Sequence, residues 1–252
     1  MDERREFIRA YILLHGSASI AELNGYFPEK SAMTIRRDLT AMEEAGILIR
    51  THGGARINPA YAGNEPFFDL KEAEDTAEKR IVAKKAAPLA AGLRSVYLDA
   101  GTTVTAFARE LAKVDEMTVI TNGVNIAHEL LMKPRPPQLT LLGGSVNGRT
   151  LAVSGTPALR QIAEMNIDTA FMSTTGFSLQ TGFTGNDPAE CELKRAVIRK
   201  ANRVIMLMTR MKKQRSMLYT FAEAGDIDVL VTDDAPEENV REAFAAAGVT
   251  IL

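Results

Sequence analysis

Two groups of residues have the types and spacing that do chemistry. In the first, Ile35, Leu39 and Met42 recur at i, i+4 and i+7, the buried stripe of one helix. Arg36 and Arg37 are then turned outward, with Ser31 at the helix start and Thr34 on its first turn. Guanidinium groups on such a face reach phosphate oxygens or pair bidentately with guanine edges. Arg50, His52 and Arg56 follow in a strand, glycine turn and strand, and would lie along the adjacent nucleic-acid backbone. The ordinary alternative is a solvated face on which Arg36 and Arg37 pair with Asp38, Glu43 or Glu44. Gross charge does not choose between them, because residues 1–58 hold 8 Lys+Arg and 8 Asp+Glu.

The second group is a set of three turns: Asp99-Ala100-Gly101-Thr102-Thr103, Thr121-Asn122-Gly123 and Leu142-Gly143-Gly144. Each follows an apolar run and the first two open a helical stretch. Small residues let backbone N–H groups converge, a helix N-terminus adds partial positive charge, and the threonine hydroxyls donate. The chemistry is anion binding, with phosphate the natural guest. One such turn alone has a purely steric explanation. Three turns at the carboxyl ends of strands in one sheet converge on a ligand crevice.

These residues need two kinds of scaffold. For the arginines, the pattern predicts helices at 2–14, from Ser19 and from Ser31, where Ser19-Ile20-Ala21-Glu22 reads as a capping box and Gly46 closes the last helix. Ile47–Arg50 and Ala55–Ile57, joined by Thr51-His52-Gly53-Gly54, make a two-stranded wing. The sum is a winged helix-turn-helix, whose last helix enters the major groove. Residues 59–75 read as a linker, turn-rich from Ile57 to Pro66. A charged helical segment spans about 69–91, with Ile81, Val82, Ala86 and Leu89 on its apolar face and Gly92 as its stop.

For the turns, apolar runs at 96–98, 117–120, 139–142, 169–172, 204–208, 229–231 and 249–252 alternate with helices near 103–112, 123–132, 157–164, 187–202 and 236–247. Asp187-Pro188 supplies an N-cap and a first-position proline. Alternation of this kind predicts an α/β fold, a doubly wound and mostly parallel sheet over 76–252, behind a head at 1–58.

Composition excludes several classes. Of 252 residues, 46% are apolar and 25% charged, an ordinary globular balance. No apolar run is long enough for a membrane span, and the charged start leads into no signal core, so a cytoplasmic protein is expected. The single Cys191 makes no internal disulfide; its neighbours Glu190 and Glu192 should raise its pKa and leave it inert. His15, His52 and His128 have no ligand spacing, so neither a metal nor a cofactor is expected. No Ser/His/Asp arrangement is present and no catalytic residue is assigned.

The string Ser31–Leu39 followed by Thr51-His52-Gly53-Gly54-Ala55 resembles the signature of DeoR-type bacterial transcriptional regulators. The resemblance continues through Glu65-Pro66-Phe67, Glu78-Lys79-Arg80, the three turns, Glu190 to Lys194 and Asp233-Asp234, over nearly the whole chain. It implies a winged-helix repressor with a sugar-phosphate-isomerase-like sensor domain, in which the three turns line a sugar-phosphate pocket. It also implies that Lys194 and Lys212 stand near that pocket. The turn Phe27–Ser31 is one residue longer than usual. Thr175 replaces a common acid, Thr209-Arg210-Met211-Lys212 replaces Asp-Ser-Ser-Lys, and Asn147 replaces an arginine that Arg149 is placed to substitute. Isomerisation needs a positioned carboxylate, so these losses argue against turnover, and the added Arg210 argues for a more anionic ligand.

The expected partners are a double-stranded DNA operator, a small anionic sugar-phosphate-like effector and a second copy of the chain, as a homodimer or homotetramer, with no membrane. Two other functions compete. One is a phosphosugar isomerase with a nucleic-acid-binding appendage. The other is an effector-independent DNA-binding protein whose sensor domain is only a scaffold.

Overall fold

The computed structural model describes residues 3–58 and 68–252, in two compact units, 1–66 and 67–252. The first unit contains α1 (Glu3–His15), β1 (Ser17–Ser19), α2 (Ile20–Tyr26), α3 (Ala32–Glu44), β2 (Leu48–Thr51) and β3 (Gly54–Ile57). Its core is Ile8, Ile12, Leu23, Ile35, Leu39, Met42 and Leu48, each nearly or fully buried. The Ser19 hydroxyl accepts from the Glu22 amide and Glu22 accepts from the Ser19 amide, so the capping box forms. Ser31 caps α3 by accepting from the Thr34 amide at 3.3 Å. At the other end Gly46, with φ +72°, lets its own N–H reach the Glu43 carbonyl and Ile47 reach Met42. That pair of bonds is the glycine-terminated helix end, which a residue with a Cβ adopts only under strain.

The wing has a third strand that the sequence reading did not include. β1 pairs antiparallel with β3, Ser17 opposite Arg56, giving the order β1-β3-β2.

The second unit begins with α4 (Phe68–Ala73) and α5 (Thr76–Ala86), continued by a short 3-10 turn at Ala87–Ala90. The expected linker 59–75 therefore contains a helix; its residues 59–67 lie outside those described. Asp75, left-handed at φ 48°, separates α4 from α5. This break resets the helical phase: Lys79, Val82, Ala83 and Ala86 are buried, whereas Ile81, expected on that face, is 44% exposed. Gly92, at φ +75°, ends the segment.

There follow β4 (Ser95–Leu98), α6 (Thr102–Glu110), β5 (Thr118–Thr121), α7 (Val124–Leu131), β6 (Gln138–Leu141), β7 (Ser145–Asn147), β8 (Ala152–Ser154) and α8 (Thr156–Ala163). The chain continues with β9 (Ile167–Ser173), β10 (Gly176–Ser178), β11 (Gly182–Gly185), α9 (Pro188–Lys200), β12 (Ala201–Met208), β13 (Tyr219–Ala222), β14 (Val229–Thr232), α10 (Glu238–Ala246) and β15 (Thr250–Ile251). Seven strands form one wholly parallel sheet in the order β15-β14-β12-β9-β4-β5-β6. All seven expected apolar runs are in it.

Its doubly wound character follows from side-chain alternation. On β12, Val204, Met206 and Met208 join one core with Ile162, Leu193, Val197 and Phe244 of α8, α9 and α10. Ile205 and Leu207 point to the other face, with Val82, Phe107 and Ile126 of α5, α6 and α7. Both faces are covered, which a parallel sheet requires. The hairpin β7–β8 and the antiparallel sheet β10-β11-β13 are additions the sequence reading missed.

Candidate nucleic-acid interface and anion pocket

On α3 the side of Ile35, Leu39 and Met42 is buried and Arg36 and Arg37 are exposed. The expected pairing partner is otherwise engaged. Asp38 is buried and takes Arg4 Nε at 2.5 Å and Arg5 Nε at 2.8 Å. These guanidinium groups outweigh the cost of burial and hold the Asp38 carboxyl below its ordinary range. Glu43 accepts instead from the Arg50 amide at 2.9 Å. Among the described residues, Arg36 and Arg37 make no ion pair, and the solvated-pair alternative finds no support.

The Arg50 guanidinium reaches Thr40 Oγ1 at 3.0 Å, which draws the wing strand over α3. A surface depression of about 490 Å³ results, lined by Arg5, Met33, Arg36, Arg37, Thr40, Ala41, Glu44 and Arg50. Ser31 and Thr34 share a hydroxyl contact of 3.1 Å at the helix start, His52 is exposed at the wing turn, and Arg56 is exposed on the wing's central strand. Met33, 64% exposed on the same surface, is an addition to the sequence reading. Its signal was an apolar residue out of phase with the stripe.

At the carboxyl ends of the parallel strands Asp99 is fully buried. Its Oδ2 accepts from the Ser173 amide at 2.9 Å, from Ser173 Oγ at 2.8 Å and from Lys194 Nζ. Lys194 also donates to the Ser173 carbonyl at 3.0 Å, so its charge is committed to this network. Asp99 Oδ1 is buried with no hydrogen-bond partner, an unused acceptor.

Gly101 is required at its position. Its φ is +153°, and a Cβ there would stand 2.4 Å from Ser173 Oγ. Gly101 is also the N-cap of α6 and supplies no side-chain cap, leaving the first-turn donors of α6 at the site. Thr102 and Thr103 are buried, and Thr103 Oγ1 accepts from Lys212 Nζ at 3.2 Å.

Thr121 and Asn122 hold the loops rather than present themselves. Thr121 Oγ1 donates to the Leu98 carbonyl at 2.6 Å. Asn122 Oδ1 accepts from Tyr97 Oη at 2.9 Å and the Ala100 amide at 2.8 Å. Gly143 gives its N–H to Gln161 Oε1 at 2.8 Å, and Gly144, at φ +152°, packs so closely on Ser154 that a Cβ would meet its carbonyl at 2.3 Å. This turn aims the β7–β8 hairpin and shows no free amide at Gly143. The hairpin carries Asn147 and Thr150 to Glu190, at 3.3 and 2.6 Å, and Arg149 accepts the Phe68 amide on its carbonyl at 2.6 Å.

Arg210 requires a correction. Its guanidinium lies 3.6–3.8 Å from Glu78, Asp233 and Asp234, and its amide donates to Asp233. Three acids neutralise it, so it adds no free charge to the pocket. Besides Lys194 and Lys212, two lysines that the sequence reading did not assign to the pocket add positive charge. Lys71 on α4 lies within the fields of Lys194, Lys79 and Glu190. Lys79 is buried and donates to the carbonyls of Lys71 and Glu74.

Burial, reinforced by neighbouring lysines, lowers Lys71 to about 8 and Lys212 to about 7. Burial also raises Glu190, opposed by Thr150 and Lys194. Clustered ammonium groups that depress each other make this a candidate anion site. The Cys191 thiol is pushed up as expected, but burial leads and Asp187 and Glu190 add to it; Glu192 is not among the causes.

Among the described residues, no three His, Cys, Asp or Glu side chains are grouped to hold a metal, and no helix is long and apolar enough to cross a membrane.

The arginine face of the head and the strand-end pocket describe a DNA-binding regulator with a sensor domain, and sequence comparison agrees. Residues 4–60 match the DeoR-like helix-turn-helix domain and residues 74–234 the DeoR C terminal sensor domain. The chain belongs to the DeoR family of transcriptional regulators. It is 32% identical to the HTH-type transcriptional regulator GlpR of Haloferax volcanii, over 93% of this chain and 89% of that one. It is 32% identical to the HTH-type transcriptional regulator GolR of Listeria innocua, over 88% and 86%. With the glycerol-3-phosphate regulon repressor of Escherichia coli K12 it shares 28%, over 96% and 94%. These relatives are named as regulators, and the helix-turn-helix match points to DNA binding rather than catalysis.

Proposed function

We propose that this protein represses genes of carbohydrate metabolism in the cytoplasm, and that a small phosphorylated sugar or related anion relieves or modulates the repression. In this reading Arg36, Arg37 and Met33 meet base edges in the major groove, while Arg50, His52 and Arg56 follow the phosphate backbone. Ser31 and Thr34 set the helix start against a phosphate. A two-fold operator calls for a homodimer or homotetramer built on residues 76–252.

The observation that carries the effector half is the lysine cluster at the Asp99 loop. Lys71 and Lys212 would take the anionic group, with the α6 first-turn amides beside them. Asp99 Oδ1 and Glu190 would accept from hydroxyls. Cations for a phosphate and acceptors for hydroxyls together describe a polyhydroxylated anion. A thermal-shift screen against sugars, sugar phosphates and sugar acids tests this, because a ligand that binds the native state raises its melting temperature. A sugar phosphate should stabilise the protein more than its parent sugar; the reverse order would overturn the assignment.

A further inference from the structure

β6 is the last strand of the parallel sheet, and among the described residues no strand pairs with its outer side. The Leu142 N–H goes inward to the Thr121 carbonyl at 2.9 Å, and Thr140 stands opposite Ile120 of β5. Peptide groups alternate along a strand, so Leu139 and Leu141 turn their N–H and C=O groups outward. An open edge is ordinarily blunted by a charge, a proline or a bulge within the strand, or by an element that covers it. Gln138-Leu139-Thr140-Leu141 carries no charge and no proline, and its register with β5 runs without a break. Apolar surface lies at both of its ends. Leu131, 50% exposed, closes α7, which packs over β5 and β6, and Met132, 69% exposed, follows it. Leu141 is exposed at the opposite end of the strand.

We propose that β6 is the contact between two copies of the sensor domain, pairing antiparallel with the partner's β6 about a two-fold axis at Thr140, so that two sheets become one. The inference rests on the homo-oligomer reading above and names its surface. In this register Leu139 meets the partner's Leu141, and the two exchange the N–H and C=O groups that each turns outward. Thr140 meets the partner's Thr140 at the close, non-bonded position, where a threonine pair is favourable. A slip of the register in one direction calls on an N–H from Pro137, which has none. A slip in the other direction calls on Gly143, whose N–H is already given to Gln161 Oε1 at 2.8 Å. The same rotation brings Leu131 and Met132 of one protomer toward the partner's Leu141. A strand of an unrelated protein could satisfy the outward amides, but a second copy matches both ends of the edge by symmetry alone.

The test uses the full chain and reads its mass by analytical ultracentrifugation and its crosslinking under mild oxidation. Thr140→Cys should form a disulfide between protomers, because Cα atoms at a non-bonded antiparallel position lie about 4.5 Å apart, within disulfide reach. Cys191, the single native cysteine, is buried and does not compete. Gln138→Cys is the control, since its two copies would stand more than about 10 Å apart and should not crosslink. Leu141→Lys, a charge on the edge, should raise the dissociation constant of the oligomer at least about tenfold with an unchanged circular dichroism spectrum. An oligomer that does not crosslink through Thr140→Cys, or that forms with wild-type affinity in Leu141→Lys, overturns this inference and leaves the homo-oligomer standing. A wild-type chain that stays monomeric at every concentration overturns both.

Discussion

Anion binding to this protein should be steeply pH-dependent, and the two depressed lysines give the slope. Lys212 titrates at about 7 and Lys71 at about 8, and an anion between them requires both protonated. The facing groups are Lys79, Lys194, Asp99, Glu190, Glu74 and Asp75. At pH 7 the doubly protonated form is nearly half the population; at pH 8 it is about a twentieth. Affinity should therefore fall on the order of tenfold between pH 7 and 8 and continue to fall toward pH 9. Sulfate is the suitable probe because its charge is constant over this range. Titration calorimetry at pH 8 in buffers of different ionisation enthalpy should show uptake of roughly one to two protons per sulfate bound.

Lys212→Arg, which keeps its charge, should flatten the pH 7-to-8 fall to about twofold, leaving only Lys71 to titrate. In the absence of anion the sign reverses. The unfolded lysines hold protons that the folded ones have lost, so stability should rise with pH from about 7 toward 10. A wild-type affinity that changes less than twofold between pH 7 and 8, with no proton uptake, would refute the reasoning.

Arg36→Ala and Arg37→Ala should each weaken operator binding by roughly 1–3 kcal/mol with an unchanged melting temperature, measured by fluorescence anisotropy on operator DNA; full affinity in both would sink the recognition-helix assignment. Asp38→Asn removes the charge and one of the two oxygens that accept from Arg4 and Arg5, and should destabilise the head by roughly 2 kcal/mol in chemical denaturation. Because the Asp38 carboxyl is held low, its contribution is present above about pH 4 and is lost as pH falls through its folded value, and a flat acid profile would contradict this. Gly101→Val places side-chain atoms on Ser173 Oγ and should abolish the anion-induced thermal shift while operator binding survives; a normal shift would put the pocket elsewhere.

The parallel sheet was legible because each strand falls in a short apolar run, and the inner strands are buried on both faces, as Val204–Met208 shows. The strands that escaped notice have no such run. Gly176-Phe177-Ser178 and Gly182-Phe183-Thr184-Gly185 offer one aromatic each, and Ser17-Ala18-Ser19 offers none. They are strands because distant partners pair with them, which local pattern does not encode. In the head, the arginine face followed from helical phase alone.

In the pocket, the backbone loops were readable from glycine and threonine, but half of the charge was not. Lys71 sits in a charged segment where lysine ordinarily means solvent. Lys79 did leave a trace, since it shares the phase of Val82, Ala83 and Ala86. Glu190 reads as a first-turn acid of α9, and only the hairpin carrying Asn147 and Thr150 gives it a second role.

The third strand of the wing bears on how the head comes into being. Ser17–Ser19 near the start of the chain is clasped by Gly54–Arg56 near the end of the head, so closely that a Cβ at Gly54 would stand 2.1 Å from the Ala18 carbonyl. A chain emerging from the ribosome can form its three helices early, but the clasp closes only once residue 56 is free. Until then α1, which carries the arginines that hold Asp38, has no strand to dock its far end, and the arginine face of α3 lacks Arg50 beside it. Arg50 therefore comes to lie beside the arginine face of α3 only once the wing has paired, and a head ending before the wing would carry Arg36 and Arg37 without it.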